Sequence, residues 1–322
     1  MEEKKPLVWI LDDEWNDHEL EKRIYQQNGF ELKVTRSDTL ERDSLSYAPY
    51  AVGVVAQVGF PCGQDLIEKL HSCKVIAVPG VGYNHIDVEA AARRGISVSN
   101  VPDYCVEEVS DHTIALILAM TRRLFAYRQQ VRKGKWDPLD TQPIHRFSER
   151  TVGLLGFGRI ARMVATKLQP FGVRILAFDE YVFDEIFDLY GVTPVSLIEL
   201  LQLSNILSLH VPLTPETKNL LSYEQLKLMP KGAFIINTCR GGIINETDLQ
   251  KLIKEGHIAG AGLDVLEKEP PQQGHPLLAM SEVIVTPHAS YVSEESLVEL
   301  RERTTQAIIN GIQGHALTHV IK

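Results

Sequence analysis

Four cysteines in 322 residues, no long apolar run and no run of basic charge set the first limits on this chain. Cys62, Cys73, Cys105 and Cys239 lack the short paired spacing of a metal site, so no metal and no disulfide framework is expected. Apolar stretches such as residues 114–120 fall far short of the ~20 residues that cross a bilayer. The opening Met1-Glu-Glu-Lys-Lys5 has no apolar core of a secretory signal. Thirty-three basic residues stand against 42 acidic ones, a net charge of -9. That balance argues against nucleic acid or an anionic membrane surface as a partner. A cytoplasmic protein is expected, long enough for two domains with cores of their own.

What is present is an alternation. Short apolar runs at residues 7–11, 31–34, 51–56, 74–78 and 96–100 alternate with helical patterns, then Val101-Pro102 interrupts. A long helical segment is predicted across residues 106–131. Further strands begin near Val152, Arg174, Ile206, Ala233, Gly260 and Val283, and an amphipathic helix over 293–312 opens on Ser293 with Glu294 and Glu295 behind it. This order predicts α/β architecture with parallel sheets.

The run Thr151-Val-Gly-Leu-Leu-Gly156-Phe-Gly158-Arg159-Ile160-Ala161 reads as a buried strand, a tight glycine turn and a helix start. Ile160, Ala161, Val164, Ala165 and Leu168 share one face of that helix. Such a turn holds a pyrophosphate on backbone N–H groups at the helix N-terminus. A glycine turn alone also has ordinary packing uses. Here the next strand ends in Asp179, near the ~20-residue offset of the acid that takes the adenosine ribose hydroxyls. Glu180 adds a second negative charge, so a pocket for NAD rather than NADP is predicted, since a 2′-phosphate would meet two carboxylates.

Three motifs in the last third carry chemistry: Asn237-Thr-Cys-Arg240-Gly241, Asp264-Val-Leu-Glu-Lys-Glu269-Pro270 and Thr286-Pro-His288. Arg240 offers a planar fork for a carboxylate, and His288 is the side chain type that exchanges protons near neutrality. Glu269 beside that imidazole would hold its tautomer and favour its protonated form. Singly, each has a plain alternative: a surface Arg-Gly turn, a loop histidine, one more solvated acid. Jointly, behind a nucleotide fingerprint, they suit reduction of a 2-oxo acid. Cys239 is expected to pack rather than react, and His112 to be structural, at the surface or close to the cofactor.

The ordered set Gly156 to Ala161, Asp179, His210-Val211-Pro212, Asn237 to Gly241, Asp264 to Pro270 and Pro287-His288 resembles the D-isomer-specific 2-hydroxyacid dehydrogenase family. Residues 100–112, with Gly134-Lys-Trp136, most resemble its branch of C-terminal-binding-protein-like dehydrogenases. The resemblance implies two doubly wound parallel-sheet domains: a Rossmann NAD-binding domain (102–289) inserted into a flavodoxin-like substrate-binding domain (1–101 with 290–322), with the substrate in the cleft between them. It also implies a homodimer. By position it makes Arg240 the group gripping the substrate, His288 the acid/base and Glu269 its paired acid, with Asp264 taking the nicotinamide carboxamide. The cofactor groove would comprise Gly156, Gly158, Arg159, Ile160, Asp179, His210, Val211, Pro212, Thr217, Thr238, Cys239 and Asp264.

Substrate recognition is expected from Val78-Pro-Gly80-Val81-Gly82, whose successive amides can face an anion, and from Tyr291. That tyrosine either walls the substrate or packs at the hinge. The branch often has arginine where Val78 stands. Losing a cation ~4 Å from a substrate forfeits on the order of 4 kcal/mol at an effective dielectric of ~20, so a small 2-oxo or 2-hydroxy monocarboxylate is expected over a doubly charged one. Glyoxylate, hydroxypyruvate, pyruvate and branched 2-oxo acids all remain open. The branch also includes NAD(H)-sensing corepressors, but a pure sensor needs no proton donor.

Overall fold

The structure is a computed structural model that describes residues 5–12, 15, 17–36, 42–141 and 143–321. The charged opening, residues 1–4, lies outside the described residues. Contacts divide the chain into two compact units, one running to Tyr104 and resuming at Ser293, the other covering Cys105–Val292.

The first unit contains β1 (Leu7–Asp12), α1 (Glu19–Gln27), β2 (Glu31–Arg36), β3 (Ala51–Ala56), α2 (Gln64–Ile67), β4 (Val75–Val78), α3 (Val88–Arg93) and β5 (Ser97–Asn100). Its five strands are all parallel, in the order β2-β1-β3-β4-β5. Side chains alternate between two faces, as the pleat requires. Trp9, Leu11, Val54 and Ile76 pack on one side. Val8, Ile10, Val55 and Val75 pack on the other. Val101, the last residue of the expected segment, is tied to the unit by its N–H, which donates to Gly80 O, and the unit runs three residues further, to Tyr104.

The second unit contains α4 (Val106–Thr121), α5 (Leu124–Arg132), β6 (Thr151–Leu155), α6 (Arg159–Leu168), β7 (Arg174–Phe178), α7 (Asp184–Leu189), β8 (Thr193–Pro194), α8 (Leu197–Leu203), β9 (Ile206–Leu209), α9 (Tyr223–Lys227), β10 (Ala233–Asn237), α10 (Glu246–Lys254), β11 (Ile258–Leu263) and β12 (Val283–Val285). Its parallel sheet runs β12-β11-β10-β9-β6-β7-β8. The order reverses between β6 and β9, and in open parallel sheets ligands bind beyond the carboxyl ends of the strands at such a switch point. The buried stripe of α6 is Ala161, Val164, Ala165 and Leu168, packed with Val152, Leu154 and Ile206 on one face of the sheet.

α11 (Glu294–Gln313) returns to the first unit, covering Val8 and Val75 with Ile308 and Ile309. It starts where the sequence signals, with the Ser293 hydroxyl accepting from Ser296 N–H. One helix differs from expectation. The segment predicted as continuous over 106–131 breaks at Arg123, which adopts φ 55. The turn lets the Arg123 guanidinium donate to Ala259 O at 3.1 Å and lie 5.0 Å from the Phe234 ring centre. That gain is tertiary and leaves no helical period to read.

Candidate active site

The site lies on loops at the carboxyl ends of β6, β10 and β11 and just after β12. Beyond β6, Gly156 takes φ 90, and a Cβ there would come within 2.6 Å of His210 O. Only glycine fits so close an approach. Around Gly158 the space is open, with nothing within 4 Å of an added Cβ. Gly158 caps α6 with no side-chain hydrogen bond, so the first-turn N–H groups face a gap that an anion can fill. Asp179 sits beside this turn: its Oδ2 accepts from Phe157 N–H at 2.7 Å and its Oδ1 from Tyr181 N–H at 2.9 Å. Arg162 reaches the same turn, donating from Nε to Phe157 O. A dinucleotide pyrophosphate and ribose therefore fit the residues present.

The remaining groove residues are more committed to their own loops than sequence reasoning suggests. The Thr217 hydroxyl donates to Pro212 O at 2.6 Å and also accepts from Thr214 N–H. Thr238 is 7% exposed, with its hydroxyl 3.0 Å from that of Thr113 on α4. Burial drives the His210 imidazole down to about 3, which keeps the ring neutral, with Nε2 2.9 Å from Ser208 Oγ. Burial likewise raises the Cys239 thiol to about 11, and its Sγ donates to Asn237 Oδ1. This cysteine packs, as the sequence suggests.

After β10, Asn237 shapes the arginine loop by accepting Cys239 N–H on Oδ1 and donating Nδ2 to Arg240 O. The next residue has no room for a side chain: a Cβ on Gly241 would overlap Leu266 C at 2.0 Å. Glycine at 241 is what lets the arginine loop lie against the loop that carries Glu269. Glu269 Oε1 accepts Leu266 N–H at 2.8 Å, and Oε2 lies 2.7 Å from His288 Nδ1. Burial alone would raise the Glu269 carboxyl, but the His288 hydrogen bond and charge, the Leu266 N–H and the Arg240 charge together hold it below its ordinary value. Two of the sequence-selected residues, Arg240 and His288, thus act on the carboxylate of the third.

His288 adopts φ 52, a left-handed conformation that costs a non-glycine residue roughly 1–3 kcal/mol. Asp264, 1% exposed, holds the segment. Its carbonyl accepts His288 N–H, its Oδ1 accepts Ala289 N–H and the Thr286 hydroxyl, and its Oδ2 accepts Ser290 N–H. Sequence reasoning missed Thr286 and Asn237 as supports, because a hydroxyl or amide inside a short motif carries no spacing signal. Tyr291 stands edge-on to His288, ring centres 6.2 Å apart.

Residues 114–290 match the sequence profile described as D-isomer specific 2-hydroxyacid dehydrogenase, NAD binding domain. The chain belongs to this family. A D-3-phosphoglycerate dehydrogenase of Methanocaldococcus jannaschii is 36% identical over 94% of this chain, which spans only 57% of that longer relative. A glyoxylate reductase of Korarchaeum cryptofilum is 38% identical over 77% of this chain and 76% of its own length. Among solved structures, D-lactate dehydrogenase of Aquifex aeolicus, complexed with NAD and lactic acid, superposes with a TM-score of 0.85 at 28% identity, covering 96% of both chains. None of the described helices is long and apolar enough to cross a membrane.

In the first unit, family membership directs attention to the loop after β4. Here one expectation is corrected. Val78 is 0% exposed and belongs to the core cluster that includes Trp9 and Ile86. Its side chain is packed in that core rather than presented at the surface, so the charge argument built on position 78 falls with it. Gly80 N–H is also spent, donating to Val78 O. Among the described residues the amides of Val81 and Gly82 have no partner, and the side chains of Val81 and Tyr83 are 36% and 43% exposed.

Proposed function

We propose that this protein interconverts a small 2-oxo acid and the corresponding D-2-hydroxy acid with NAD(H), the second unit binding the dinucleotide and the first contributing substrate recognition. The observation that carries this reading is the 2.7 Å contact of His288 Nδ1 with Glu269 Oε2, with the Arg240 charge acting on the same carboxylate. A ligand-binding protein without turnover has no use for an imidazole so supported.

The residues divide the work as follows. Arg240 grips the substrate carboxylate and draws charge from the C2 oxygen. Glu269 engages Nδ1 of His288, which leaves Nε2 as the atom that gives its proton to the C2 oxygen during reduction and takes it back during oxidation. His288, with 30% of its side chain exposed, recovers the proton from solvent. The bound dinucleotide supplies or accepts the hydride at C2. Asp179 and the exposed Glu180 bring two carboxylates to the end of β7, which would repel a 2′-phosphate, and this supports NADH over NADPH. Exposed Leu124, Val131, Trp136 and Leu139 in the second unit support pairing with a second copy.

Cofactor choice and stereochemistry test this reading together. With NADH and a reducible 2-oxo acid, chiral chromatography should return the D-hydroxy acid, and kcat/KM with NADPH should be lower by tenfold or more. An L product, or equal use of both cofactors, would overturn it.

A further inference from the structure

The Asp264 carboxylate is held from behind by a group that the reaction itself does not require. Thr286 Oγ1 lies 2.5 Å from Asp264 Oδ1, and an ionised carboxylate only accepts hydrogen bonds, so the hydroxyl proton points to Asp264. The same Oγ1 lies 3.0 Å from Nε2 of His112. With its own proton spent, the hydroxyl can only accept there, so His112 carries its proton on Nε2 and donates. His112 Nε2 is also 3.7 Å from Asp264 Oδ1. The result is a one-way chain, His112 to Thr286 to Asp264, running from α4 to the loop that bears His288.

We propose that His112, acting through Thr286, is a positioning residue that fixes Asp264 and thereby holds His288 in its left-handed backbone conformation for proton transfer. The inference rests on the reading of His288 as the proton donor. The need for such a chain is local. The segment after β12 contains no glycine from Thr286 to Val292 to relax into a positive φ, so the conformation of His288 persists only where its surroundings over-determine it. Asp264 does this from three sides, through the N–H groups of His288, Ala289 and Ser290. The Ala289 and Ser290 N–H groups reach one carboxylate oxygen each, and the Thr286 hydroxyl, oriented by His112, adds a third bond, to Oδ1, that secures the carboxylate plane. His112 keeps a quarter of its side chain exposed, so its substitution need not open the core.

Four variants test the chain. Thr286→Val removes the hydroxyl at nearly constant volume, and His112→Phe removes the donor while keeping a ring. Each should lower kcat by roughly tenfold or more, with the NADH Kd and the substrate KM changed by less than about threefold. Thr286→Ser and His112→Gln retain the hydroxyl and a donor, and should recover most of kcat. The double variant Thr286→Val with His112→Phe should be no slower than the slower single variant, because both cut one chain. Amide hydrogen exchange at Ala289 and Ser290 should quicken in Thr286→Val and His112→Phe but not in the conservative pair. That readout needs no turnover, so it judges the clamp even if the wild-type protein reduces no 2-oxo acid. If Thr286→Val does not fold by circular dichroism, the His112→Phe and His112→Gln pair decides alone. Wild-type kcat in His112→Phe, equal damage from Phe and Gln, multiplied losses in the double variant, or unchanged exchange would each overturn the proposal.

Discussion

The turn after β6 and the loop after β4 both leave the carboxyl end of a buried parallel strand, and they are built in opposite ways. Beyond β6, Gly156 N–H is bonded to Phe178 O and Phe157 N–H to Asp179, while the Phe157 ring is fully buried and stacked on Phe187 at 4.7 Å. Beyond β4, the strand ends in a buried valine followed by a buried Pro79, and only further along the loop do Val81 and Tyr83 stand partly in solvent. A turn locked by packing and hydrogen bonds presents the same donors whatever the substrate. A loop whose backbone is tied at Gly80 but whose side chains are exposed can change its residues without disturbing the core. The proposed function therefore assigns reaction class to the locked loops of the second unit and substrate choice to the exposed loop of the first.

The sharpest way to break this contrast is to loosen one bond among the locked set. Glu269→Gln keeps the shape and removes the charge. Without the anion, the imidazole loses the acceptor that orients its ring, so kcat at neutrality should fall roughly tenfold. Stability follows the same logic. The folded-state carboxyl of Glu269 lies below its ordinary value, so its contribution is present above the unfolded pKa of ~4 and is lost as pH falls through the folded value. The Tm gap between wild type and Glu269→Gln should accordingly close on acidification below about pH 4. A wild-type kcat in Glu269→Gln would separate Glu269 from the chemistry.

A smaller pair of effects sharpens the contrast from the other side. Val78→Ala should cost about 2 kcal/mol of stability through lost burial and a small cavity, with no change in the ranking of 2-oxo acids by kcat/KM. Tyr83→Ala should leave Tm nearly unchanged and reorder that ranking by a few fold. If Val78→Ala reorders the substrates while Tyr83→Ala does not, the two residues have been assigned the wrong way round.

Much of this is legible in the amino-acid sequence. Period and glycine placement predict β6, its turn and α6, because a parallel strand and an amphipathic helix write their burial directly into residue type. The trio was legible for a different reason: arginine, glutamate and histidine are costly to place without a partner, so their coincidence in three motifs carries information. The break at Arg123 was not legible, since it depends on a carbonyl and a ring far along the chain. Nor was the inward orientation of Val78, where position in a motif said nothing about which way a strand residue points. The service of Thr286 and Asn237 was hidden too, because small polar side chains fill many roles and only geometry says which one they take.

The central claim, that His288 protonates a substrate held by Arg240 while NADH is oxidised, is tested most directly by following NADH absorbance with a panel of small 2-oxo acids for wild type and His288→Asn. The account predicts turnover of at least one acid by wild type and a loss of roughly 100- to 10,000-fold in kcat for His288→Asn, with NADH binding retained by fluorescence titration. Binding of NADH with no turnover on a broad panel, or equal rates for the two proteins, would contradict it.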